Sequence, residues 1–102
     1  DKIGALFVKE EGKYVGIVTE SDMIRKVISY DLDPTSIPVG VIMNSPIIDI
    51  DLSASVKSAT ETMARKGIRH LAVSSESEII GILSIRDLIG MISVHGLHLS
   101  GI

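Results

Sequence analysis

The heptapeptide Gly16-Ile17-Val18-Thr19-Glu20-Ser21-Asp22 returns as Gly81-Ile82-Leu83-Ser84-Ile85-Arg86-Asp87, and no other feature of the chain constrains its fold as much. In both copies an apolar run ends at a hydroxyl residue, an acid follows three positions later, and an apolar helical pattern begins at once. That order reads as a strand, a tight turn and a helix start. The offset of 65 (81 minus 16) also pairs Ile3 with Ile68, Leu6 with Leu71, Val8 with Val73 and Ile24 with Ile89, without a gap. The chain is a tandem repeat, one small unit used twice.

Each copy contains two apolar runs joined by a polar turn. Ile3 to Val8 and Tyr14 to Val18 flank Lys9-Glu10-Glu11-Gly12-Lys13, and Ile68 to Val73 and Ile79 to Leu83 flank Ser74-Ser75-Glu76-Ser77-Glu78. Both read as antiparallel hairpins. Met23, Ile24, Val27 and Ile28 have helical spacing, Ser21 suits the N-cap, and the helix should end near Tyr30. Pro34 and Pro38 mark a linker, a short turn is expected at Val41-Ile42-Met43, and Ile47, Ile48 and Ile50 read as a short strand. The next helix has Ser53 as its expected N-cap, an apolar face of Val56, Ala59, Thr60, Met63 and Ala64, and Gly67 as its left-handed stop. The last helix carries Leu88, Ile89, Ile92 and Met91. The second copy therefore runs strand, helix, strand, strand, helix, whereas the first enters late with strand, strand, helix only. The expected division is residues 1–33 for the first repeat, 34–94 for the linker and second repeat, and 95–102 for a tail.

Composition narrows the function. A net charge of −3 and a pI near 5.5 make nucleic acid an unexpected partner, because no basic stripe is present to displace counterions from phosphates. No cysteine is present, which removes disulfide and thiol chemistry. No apolar run has the roughly 20 residues of a membrane span, and the amino end lacks the pattern of a signal peptide. The expectation is a soluble, cytoplasmic protein. A hydrophobic fraction of 45% in 102 residues suits burial of a further face by homodimerisation, or by chain lying outside this sequence.

These residues resemble the CBS-domain pair, or Bateman module. The resemblance is carried by Gly16-Ile-Val-Thr-x-Ser-Asp22, Gly81-Ile-Leu-Ser-x-Arg-Asp87, Met43-x-x-Pro46-Ile47-Ile48 and Ala59-x-x-x-Met63-x-x-x-Gly67-Ile68-Arg69-His70-Leu71-x-Val73. It covers essentially residues 3–93. It implies an α+β (α/β) fold of two small three-stranded sheets with flanking helices about a pseudo-twofold axis, assembling as a disc-shaped dimer. It also implies a module without catalytic activity that takes AMP, ADP, ATP or S-adenosylmethionine in clefts and alters a partner, such as an attached enzyme or transporter. No cofactor is required.

The residues suit that chemistry. A strand that ends in a hydroxyl and feeds a helix presents backbone N–H groups to an anion, and an ionised Asp in the first turn can take both hydroxyls of a ribose. Gly16 and Gly81, inside strand patterns, suggest close approach of another backbone or a ligand. The family's shared site, carried onto this chain, groups Thr19, Ser21 and Asp22 with Ile47, Ile48, Ile68, Arg69 and His70. The isoleucines would contact a purine and Arg69 and His70 would reach phosphate oxygens, although the isoleucines read equally well as core. A second, weaker cleft would group Ser84, Arg86 and Asp87 with Ile3, Gly4 and Ala5. There Gly4 and Ala5 stand in the Arg69 and His70 positions and remove phosphate-directed charge, for which Arg86 compensates. On this reading Asp22→Ala abolishes binding and spares the fold.

Other signals carry less. His95 and His98 have a spacing seen in metal pairs but no acidic or sulfur company, and no metal site is expected. Asp22 and Asp87 lack the setting of a catalytic dyad. The alternative to a ligand sensor is a structural dimerisation module with vestigial clefts.

Overall fold

The structure is a computed structural model that describes residues 4–89. It has an α+β architecture in two compact units, Asp1–Ile48 and Asp49–Ile102. Ile3, Met91, Ile92, His95, His98 and the tail lie outside the described residues.

In the first unit β1 (Ala5–Glu10) pairs antiparallel with β2 (Lys13–Thr19). Glu11 and Gly12 both have positive φ, 51° and 78°, the geometry of a two-residue turn whose twist matches that of the flanking strands. The register moves from Val8↔Gly16 to Lys9↔Tyr14, which leaves Val15 as an extra residue in a bulge. The second unit repeats this at the 65-residue offset. There β4 (His70–Ser75) pairs with β5 (Glu78–Ser84), Glu76 and Ser77 form the turn, and Ile80 is the extra residue. The second sheet gains a third strand, β3 (Asp49–Asp51), parallel to β4. Among the described residues the first sheet has two strands, and an isolated antiparallel bridge from Ile17 to Asn44 stands beside them.

Four local expectations are corrected. The N-cap of the first helix is Thr19, not Ser21, because Thr19 and Asp22 have the three-residue spacing that lets side chain and backbone bond reciprocally. Ser21 then lies inside the helix. The second long helix, α3 (Val56–Lys66), is capped by Ser55, whose hydroxyl accepts from the Ser58 N–H at 3.0 Å, while Ser53 donates its N–H to Asp51 at 2.9 Å. The expected turn at residues 41–43 is a short helix, α2 (Val39–Ile42). Ile47 and Ile48 precede β3 and do not belong to it.

The first helix, α1 (Glu20–Asp22), continues as a π-helical segment, Met23–Ile28. The widened turn is visible in Ser29 N–H donating to Ile24 O at 2.9 Å and Leu32 N–H to Val27 O at 3.0 Å. Of its four apolar residues only Val27 is buried; Met23, Ile24 and Ile28 are exposed. Val27 joins Val18 and Ile42 in the first unit's core, with Val8, Ile37 and Met43 packed on it. In the second unit Ala59, Met63, Leu71, Ala72 and Leu88 are buried, whereas Ala64 is exposed. Gly67 ends α3 with φ 65°.

Gly16 is a site of close approach, as its place in the repeat suggests. A Cβ there would meet the Met43 sulfur, with Met43 Cγ at 2.9 Å and the Asn44 carbonyl at 3.0 Å. A Cβ at Gly81 would have nothing within 4 Å among the described residues. Gly16→Ala is expected to cost about 1–3 kcal/mol, the range for overpacking, and Gly81→Ala much less. Paired urea titrations check the difference, and equal midpoint shifts would contradict it.

Candidate functional site

The two hydroxyl-x-x-acid corners form by the same local chemistry and sit in different surroundings. In the first, Asp22 N–H donates to Thr19 Oγ1 at 3.2 Å, and Asp22 Oδ2 accepts from Thr19 N–H at 2.7 Å and from the Thr19 hydroxyl at 2.9 Å. In the second, Asp87 N–H donates to Ser84 Oγ at 3.1 Å and Asp87 Oδ2 accepts from Ser84 N–H at 3.0 Å. Both are reciprocal caps.

Asp22 is fully buried. Besides Thr19 it accepts from Asn44 Nδ2 at 2.8 Å and from Arg25 Nη2 at 3.1 Å, and Lys26 Nζ lies 3.5 Å away. Burial alone would raise its pKa; the Thr19 N–H, the Asn44 amide, the Thr19 hydroxyl and the Lys26 charge outweigh that and hold the carboxyl below its ordinary value. Asp87 is exposed. Among the described residues only Ser84 N–H donates to it.

The residues expected to form sites are distributed between the units. Gly4, Ala5, Thr19, Ser21, Asp22, Ile47 and Ile48 belong to the first. There Ala5 stands opposite Thr19 in the hairpin, and Glu20 N–H donates to Gly4 O at 3.0 Å. Ser21 is exposed, and Ile47 and Ile48 are half-buried. Ile68, Arg69, His70, Ser84, Arg86 and Asp87 belong to the second. That unit brings Ile68, Arg69 and His70 beside the Ser84 corner: His70 stands opposite Ser84 in the β4–β5 register, and Ile85 N–H donates to Arg69 O at 2.8 Å.

A cavity of about 320 Å³ opens at this place, lined by Thr60, Met63, Ala64, Gly67, Ile68, Arg69 and Ile85. Its walls are mainly apolar, and the Thr60 hydroxyl donates to Val56 O at 2.9 Å within the helix. The volume falls at the small end of the roughly 300–1,000 Å³ usual for ligand sites, enough for a flat ring system with a sugar or phosphate reaching outward.

Sequence reasoning missed two groups. Thr60, Met63 and Ala64 read as core face, and only the fold exposes one side of them as a cavity wall. Arg25 and Lys26 stand three and four residues after Asp22 on a helix, a spacing that does signal contact. Asn44, 22 residues away, carries no local signal.

A family model described as CBS domain matches residues 1–29 and 39–94. The chain is similar to an uncharacterized protein of Methanopyrus kandleri, 32% identical over 85 residues, covering 82% of this chain and 43% of that relative. It thus spans less than half of that relative's length. Among solved structures, a protein with CBS domains from Burkholderia ambifaria, assigned to signal transduction, has a TM-score of 0.86 at 30% identity, covering 97% of this chain and 73% of that one. A CBS domain protein from Pyrobaculum aerophilum, solved in complex with AMP, has a TM-score of 0.73 at 29% identity, covering 90% of this chain and 76% of that one.

Proposed function

We propose that this chain, which belongs to the CBS-domain family, is a regulatory module that binds an adenosine-containing ligand and passes that signal to a partner. The observation that supports this most is the convergence, in one unit, of the cavity lined by Ile68, Arg69 and Ile85 with the exposed Asp87 corner. The base would enter the apolar cavity, Asp87 would accept from the sugar hydroxyls, and Arg69 would meet phosphate. AMP is the first ligand to test, since the Pyrobaculum relative was solved with it; ADP, ATP and S-adenosylmethionine follow. The ligand acts as a signal and is released, and no catalytic step is assigned to the module. Regulation requires two states of the module that bind the ligand unequally.

Isothermal titration of the whole chain tests the reading. Saturable binding by one of the four ligands is expected. Asp87→Ala should weaken it by about tenfold or more, the value of one or two hydrogen bonds to a charged group. No heat from a folded protein overturns it. The second reading, a dimerisation module with vestigial clefts, is favoured by a different observation: Ile24, Ile28 and Tyr30 are 58%, 69% and 74% exposed on neighbouring turns, an apolar surface that a second copy would cover. Dimerisation without nucleotide binding would establish it.

A further inference from the structure

We infer that Asp22 is the hub of an internal latch that fastens the connecting strap, α2 through Ser45, to the first repeat, and that this corner is thereby withheld from ligand. A carboxylate offers about four acceptor positions. In Asp22, Oδ2 accepts from the Thr19 N–H, the Thr19 hydroxyl and the Asn44 amide, Oδ1 accepts from Arg25 with Lys26 at 3.5 Å, and the side chain has no exposed surface. A ribose would have to displace donors the chain itself supplies.

Those donors do a second job. Lys26 Nζ also donates to Ile42 O at 2.9 Å and to Asn44 Oδ1 at 3.2 Å. Asn44 exchanges backbone hydrogen bonds with Ile17 at 2.8 and 3.1 Å, and the Ser45 hydroxyl donates to Val15 O at 2.8 Å. The strap is thus held along β2, with Gly16 giving Met43 room to lie against it. Since this strap is the covalent connection to the second repeat, the latch fixes where it leaves the first. By the repeat offset, the positions matching Arg25 and Lys26 are Gly90 and Met91, which carry no charge.

The latch is tested by hydrogen exchange on the whole chain, a readout that needs no ligand. Lys26→Met, which introduces the residue found at the matching position of the second repeat, and Asp22→Asn should speed exchange at the Ile17 and Asn44 amides by about tenfold or more. The β4–β5 amides should keep their wild-type rates. If Asp22→Asn fails to fold, Lys26→Met still decides. Wild-type rates at Ile17 and Asn44 in Lys26→Met overturn the latch. The withholding rests on the proposed nucleotide binding and is read by titration with AMP. One equivalent per chain in the wild type and a second in Lys26→Met support it; two equivalents in the wild type, or one in a Lys26→Met protein whose exchange has quickened, overturn it. A wild-type protein that binds none of the four adenosine ligands overturns the proposed function instead, and the exchange rates then judge the latch alone.

Discussion

Asp22→Ala is expected to lower the unfolding free energy by about 1–3 kcal/mol, the cost of leaving buried donors without their acceptor. The carboxylate is fully buried, so the variant leaves the Thr19 N–H and the Asn44 amide without their acceptor, while Lys26 keeps Ile42 O and Asn44 Oδ1 and Arg25, 65% exposed, turns to water. Against a total stability of roughly 5–15 kcal/mol for a small protein, that is a large share. At about 4–8 °C per kcal/mol for domains of this size, the melting midpoint should fall by roughly 4 °C or more. A loss below about 1 kcal/mol in urea titrations would contradict this. The burial also reverses the reading from sequence, in which Asp22 could be removed at no cost to the fold.

The same network predicts acid sensitivity. The folded pKa of Asp22 lies below the ordinary 3.8, so the stability it contributes is complete above that value. It is lost as the pH falls through 3.8 towards the lower folded value. Asp33 and Asp51 are also shifted down, by the Thr35 and Ser36 hydroxyls and the Thr35 N–H and by the Ser53 hydroxyl and N–H respectively, and both are exposed. Because both are present in wild type and variant alike, they cancel in the comparison. Unfolding of wild type and Asp22→Asn at pH 3 and pH 6 should therefore show a gap that narrows at the lower pH. A gap of constant size would place the contribution elsewhere.

What could be read from the sequence and what could not divide along physical lines. The hairpins were legible because alternating apolar runs and polar turns are local, and the duplication repeats even the bulge, at Val15 and Ile80. The caps were legible only approximately. Ser21 and Ser53 have the right side chain, but a cap is decided by which hydroxyl faces the N–H three residues on, and that selected Thr19 and Ser55. The difference between the two corners was half legible. Arg25 and Lys26 against Gly90 and Met91 is a statement about sequence; that Asn44 reaches back to Asp22 is a tertiary fact with no local trace. Gly16 and Gly81 look alike in the repeat, and only the strap lying on one of them separates their roles.

Met63→Ala is expected to cost about 2–5 kcal/mol, the range for removing a long apolar side chain from a core. Met63 is 2% exposed, and it also lines the cavity in the second unit. One side chain therefore serves both core and cavity wall, and loss of packing and loss of ligand contact should appear together. Met63→Leu, which nearly conserves volume, should cost less than about 1.5 kcal/mol. If AMP occupies this cavity, a concentration near 100 times the dissociation constant should return about 2.7 kcal/mol of stability to the wild type. The weaker complex of Met63→Ala should recover less at that same concentration. Equal stabilisation of wild type and Met63→Ala by AMP would mean that the nucleotide does not touch this wall. Binding elsewhere would then have to account for any affinity the chain shows.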